Sequence, residues 1–95
     1  MSTEPGFDLD RAWCVDERVA VRPEPFGALL YHFGTRRLSF LKNATVLAVV
    51  RSLADHPSAR SACAAAGVGA SALPAYERAL ATLAGSRMIR ERALP

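Results

Sequence analysis

The sequence predicts an α+β domain in which a three-stranded antiparallel sheet leads into three helices. Three observations carry that prediction. Residues 18–41 hold short apolar runs with strand-like alternation, separated by turn residues. Residues 44–84 change to helical spacing. Pro57 and Gly67 then cut the helical half into three pieces.

The first strand is read from "RVAVRPEP", Arg18 to Pro25, where Val19 and Val21 alternate with Arg18, Ala20 and Arg22. Pro23 and Pro25 are expected to end it, because proline cannot donate to a ladder. "ALLYHF" and "RRLSFL" form the second and third strands, joined at Gly34-Thr35. A two-residue loop with glycine first suits a type II′ turn. That turn pairs Phe33 with Arg36, Tyr31 with Leu38 and Leu29 with Phe40. One face then carries Leu29, Tyr31, Phe33, Leu38 and Phe40. The other carries Ala28, Leu30, His32, Arg37, Ser39 and Leu41. The large apolar side chains sort onto the first face, as a fixed register requires.

Asn43 is placed to cap a helix from Ala44 to about Ala54, with Val46, Leu47, Val50 and Leu53 on one face. Ser58 caps a short alanine-rich helix, Ala59 to Ala66, stopped by Gly67. Ser71 caps a third helix, Ala72 to Ala84, with Pro74 in its tolerant first turn. Its stripe is Leu73, Tyr76, Leu80 and Leu83. "RMIR" adds a last extended piece with Ile89 inward. The order of elements is winged-helix-like. Residues 1–12 are expected to be a flexible N-terminal arm and residues 13–95 a single domain.

Ninety-five residues bury one modest core, and eighteen of the hydrophobic residues are alanine, so that core is thin. The net charge is +3, from eleven arginines and one lysine against nine carboxylates. A basic surface favours an acidic partner, which charge alone leaves open between nucleic acid and peptide. The two cysteines, Cys14 and Cys63, form no CxxC and no cluster with His32 and His56, so no metal or cofactor is expected. Cys63 reads as a buried, reduced thiol. No secretory signal and no membrane-length apolar run is present, making the cytoplasm the expected location.

The carboxylates are scattered, no serine or cysteine has an evident activating partner, and no phosphate loop occurs. Catalysis is therefore not expected. Two binding classes remain. Residues 63–73 have helix-turn-helix spacing, but the following helix offers one arginine, Arg78, beside Glu77, and no Lys, Asn or Gln to read bases. The other class is peptide capture by strand addition at Arg37 to Leu41, walled by Tyr76, Leu80 and Leu83.

The strand order, the "LLY…G…L" hairpin, the capped helix after "FLKN" and the last helix resemble the PqqD-like RiPP recognition elements. "FDLDRAW", "VRPEPFGALLYHFGTRRLSFLKN" and "LADHPSARSACAAAGV" are similar to the peptide chaperones of the mycofactocin system. The resemblance implies a non-catalytic chaperone. Such a protein binds the leader of a ribosomally made precursor peptide and presents it to a radical SAM maturase in making the redox cofactor mycofactocin. It implies no cofactor of the chaperone's own, no nucleic acid and no membrane. The implied peptide-binding residues are Arg36, Arg37, Leu38, Ser39, Phe40, Leu41, Tyr76, Leu80 and Leu83. The alternative is a winged-helix DNA-binding protein.

Overall fold

The computed structural model describes residues 6–93. Its order is β1 (Trp13–Val15), β2 (Val19–Glu24), β3 (Gly27–His32), β4 (Leu38–Leu41), α1 (Ala44–Ser52), a 3-10 turn (Leu53–Asp55), α2 (Ala59–Ala65), α3 (Leu73–Gly85) and β5 (Ile89–Glu91). The α+β class and the three-stranded antiparallel sheet, β2-β3-β4, are as expected. The winged-helix likeness is approximate, because β1 and β5 form a separate two-stranded antiparallel ribbon.

The register between β3 and β4 is the predicted one: Tyr31 opposes Leu38 and Leu29 opposes Phe40. The turn differs. Gly34 has no positive φ, so the loop is not type II′; Arg36 takes the left-handed conformation instead, at φ 63°. The Arg36 N–H donates to the His32 carbonyl, and His32 N–H donates to Arg37. Residues 33–36 thus form a four-residue loop. Closing on His32 and Arg37 rather than on Phe33 and Arg36 leaves the pairing register unchanged.

The core lies on the face that carries Ala28, Leu30, His32 and Leu41, all buried. The aromatic face, with Phe33, Leu38 and Phe40, is exposed. Small residues on the inner face let α1 approach, and its Val46, Val49 and Val50 are buried there with Leu53. Fully burying each such side chain contributes about 1.5–3 kcal/mol. Leu47 is only half-buried, and Val49 takes the inward place.

Pro23 lies inside β2 rather than ending it. Phe33 N–H donates to Arg18, and hydrogen-bonded pairs alternate along an antiparallel ladder. Pro23, opposite Ala28, falls at a position whose nitrogen faces away from β3, so its missing N–H costs no ladder bond.

Asn43 caps α1, its side chain accepting from Val46 N–H at 2.9 Å. Ser58 and Ser61 form a reciprocal capping box on α2. Gly67, at φ 87°, closes α2 while Val68 N–H reaches the Cys63 carbonyl, the Schellman pattern. α3 begins differently from expectation. Ala72, not Ser71, is the N-cap residue and supplies no side-chain bond. A turn on the Gly69 carbonyl leads into the helix, and Pro74 lies in its first turn.

Of the arm expected over residues 1–12, the part from Phe7 on is packed. Leu9 and Ala12 are buried, and Phe7 stacks on Trp13 at 4.8 Å between ring centroids. Residues 1–5 lie outside the described part. Arg60 N–H donates to Leu9, and the Arg60 guanidinium pairs with Asp10 at 2.7 Å. Arg92 ties the ribbon to α1's end, donating to the carbonyls of Trp13 and His56.

A groove between an open strand edge and the third helix

β4 is the last strand of its sheet, so among the described residues one of its edges has no partner strand. The hydrogen bond from His32 N–H to Arg37 fixes which groups face that edge. Pairs alternate between bonded and non-bonded. Leu30–Ser39 and Ala28–Leu41 are bonded pairs, so Ser39 and Leu41 turn their N–H and C=O inward. Leu38 and Phe40 turn theirs outward.

That edge faces α3 across a groove of about 660 Å³. Leu38, Ser39, Phe40 and Leu41 form one wall; Tyr76, Ala79 and Leu83 of α3 form the other; Val46 of α1 contributes as well. Among the predicted site residues, the structure brings together Leu38, Ser39, Phe40, Leu41, Tyr76 and Leu83. Leu80 is not in the lining: at 1% exposure it belongs to the core beneath. Arg36 and Arg37 are exposed in the loop before β4, outside the groove wall. Lys42, Asn43, Val46, Ala75, Ala79 and Thr82 line the groove without having been expected. The spacing Tyr76, Ala79, Leu83 was the available signal for Ala79, since positions three and seven apart share a helix face.

His32 shapes the loop that carries the arginines. Its ring is fully buried, and Nδ1 accepts from Gly34 N–H at 2.9 Å and from Thr35 N–H at 3.0 Å. An Nδ1 that accepts places the ring proton on Nε2. Nε2 points toward Asp16 Oδ1, 3.9 Å away. Asp16 is itself held by Arg18, through the guanidinium and the backbone N–H, and these bonds keep its carboxyl below the usual range. His32 therefore acts as a buried support for the loop.

Charge is distributed unevenly. Arg11, Arg18, Arg22, Arg60 and Arg90 each stand within ion-pair distance of a carboxylate. Among the described residues, Arg36, Arg37, Lys42, Arg51, Arg78, Arg87 and Arg92 have no such partner, and the first three of these flank β4. The two ends of β4 are thus its positive ends.

The groove lining holds no carboxylate, histidine or cysteine. Cys63 is fully buried in the core, and burial raises its thiol pKa, the reverse of an activated nucleophile. No group of three or more His, Cys, Asp or Glu suited to a metal occurs among the described residues. No helix among them is long and apolar enough to cross a membrane. An apolar groove with an open backbone edge is equipped to hold an extended chain.

Residues 12–90 match the Peptide chaperone MftB family. A peptide chaperone MftB of Mycobacterium ulcerans is 70% identical over 83 residues, covering 87% of this chain and 76% of the relative. Those of Mycobacterium tuberculosis and Mycolicibacterium smegmatis are 64% and 63% identical over the same share of this chain, covering 76% and 81% of their own. No solved structure matches. The matched span includes β4, α3 and the whole groove between them, and the chain belongs to the Peptide chaperone MftB family.

Proposed function

We propose that the chain holds the leader of a ribosomally made precursor peptide as an added strand on β4, and presents it to a radical SAM maturase in mycofactocin biosynthesis. It does so as a chaperone and not as an enzyme, in keeping with its family. The observation that supports this reading best is the outward N–H and C=O of Leu38 and Phe40 beside the apolar wall of Tyr76 and Leu83. The leader's backbone takes up the free edge, and its side chains enter the groove. Leu80 backs the wall from the core without touching the peptide. Arg36 and Arg37 attract an acidic leader to the strand's entrance.

Calorimetry with the precursor's leader tests this reading, with duplex DNA as the second titrant. The expected result is one-to-one leader binding and amide protection at residues 38–41. Protection confined to β2 or to α1 would place the peptide elsewhere. Binding to DNA with a steep salt dependence would favour the winged-helix alternative.

A further inference from the structure

The sheet's outer face carries large side chains that the groove alone does not account for. Phe26, Phe33, Leu38 and Phe40 are 49%, 64%, 55% and 63% exposed. The rings of Phe26 and Phe40 lie 6.2 Å apart, and Phe33 meets Tyr31 edge-on at 4.9 Å. A contiguous exposed apolar patch marks an interaction surface.

Its position says what covers it. Leu38 and Phe40 are the residues whose backbone groups face the open edge, and their side chains stand on this outer face. An added strand alternates its side chains between two faces. Those opposite Leu38 and Phe40 emerge on the outer face, about 5 Å from them. Those in between fall toward Val46, Ala79 and Leu83 in the groove.

We infer that the site reads its peptide from both sides: the ligand is an extended run of about four or five consecutive apolar residues, flanked at both ends by acidic ones. This rests on strand addition at β4. The four residues of β4 span about 13 Å, and Arg36 and Arg37 precede them while Lys42 follows. A run of that length brings each flank to a cation that has no carboxylate partner among the described residues. A second copy of this chain fits the same edge poorly. Antiparallel pairing of two β4 strands that sets the outward Leu38 of one opposite the outward Phe40 of the other brings Arg36 of one to Lys42 of the other, and like charges opposite one another are unfavourable.

The test uses labelled peptides, the intact chain, and amide exchange alongside fluorescence anisotropy. DEVLVLVED presents apolar residues on both faces; DETLTLTED and DEVTVTVED each keep one face; KKVLVLVKK reverses the flanks. The expected result is that DEVLVLVED binds at least tenfold tighter than either one-faced peptide and than the lysine-flanked one. Phe40→Ser, and separately Phe26→Ser, should cut that advantage to about twofold for the serine-facing set. Both residues are exposed, and unchanged melting confirms that each variant folds. Protection of residues 38–41 with equal binding of the one-faced peptides would overturn two-sided reading while leaving strand addition intact. Binding without protection at 38–41 would sink both. Failure of DEVLVLVED to bind while the natural leader still protects residues 38–41 would overturn this inference alone.

Discussion

Gly27 lies against the backbone of Leu41: a Cβ built on it would collide with the Leu41 carbonyl and stand 2.8 Å from the Asn43 amide nitrogen. Its φ of 155° also lies where side chains are rarely tolerated. This contact joins the start of β3 to the end of β4, where the groove wall passes into the α1 cap.

Gly27→Ala should therefore be severely destabilising, by roughly 2–3 kcal/mol from the strained backbone and the Leu41 collision together. That corresponds to a melting temperature lower by about 10 °C or more for a chain of this size. Gly67→Ala is the comparison. Gly67 also has a positive φ, but nothing lies within 4 Å of an added Cβ, so its cost should be nearer 1 kcal/mol. Thermal melts of both variants check the order; equal losses would show that the Leu41 contact carries no weight.

The buried carboxylate of Asp16 gives a pH dependence with a defined sign. Its pKa is lowered, first by the Arg18 guanidinium bond and next by the Arg18 backbone N–H. The unfolded chain takes up that proton near pH 4, before the native state does. The stabilisation is therefore complete above about pH 4 and is lost as pH falls through the lower native value. Asp16→Asn should melt below the wild type at pH 7, with the gap narrowing below about pH 4. A gap of constant size from pH 7 to pH 3 would remove the Arg18 pairing as its cause.

Much of the fold was legible because local chemistry and tertiary packing agree. Asn43 and Ser58 are capping residues followed by helical spacing, and both cap. The hairpin register was legible even though its turn was not. A two-residue and a four-residue loop centred on Gly34-Thr35 give the same pairing, and only the buried His32 ring selects the longer one. The β1–β5 ribbon was not legible, since Trp13–Val15 is three residues long and its partner is near the other end of the chain. The sorting of side chains by size marked two faces without telling which of them is the core. Ala28 and Leu30 face inward because α1 packs close, while Phe33 and Phe40 face out. An apolar stripe identifies a shared face, but not whether the protein or a ligand covers it. The same ambiguity separates Leu80, which fills the core, from half-buried Tyr76, which lines the groove, with Leu83 buried in the core and lining the groove at once.

The free cations at the ends of β4 should govern the salt dependence of leader binding. Arg37→Glu with Lys42→Glu should weaken binding at low ionic strength by about tenfold, mostly through a slower association rate. The difference should shrink at high salt, where screening removes it. Arg11→Glu with Arg90→Glu changes the same net charge in residues paired to Glu91 and Glu17, and should leave the association rate nearly unchanged. If both pairs slow association alike, net charge and not its placement at β4 is responsible.

Proline placed along β4 separates the free edge from the ladder. Ser39 opposes Leu30 in a bonded pair, so its N–H holds the hairpin. Ser39→Pro should lower the melting temperature sharply and disturb the whole sheet. Leu38 opposes Tyr31 in a non-bonded pair, and its N–H is available to the peptide. Leu38→Pro should keep most of the stability and lose most of the leader affinity. Leu38 also presents an exposed apolar side chain, so Leu38→Ala is needed as the reference. Side-chain loss alone should weaken binding several-fold, and proline should weaken it further by about one hydrogen bond, roughly 1 kcal/mol or fivefold. Equal affinities for Leu38→Ala and Leu38→Pro would mean that the leader does not bond to this N–H, which would remove the start of β4 from the docked strand and leave only the outward groups of Phe40 to hold it.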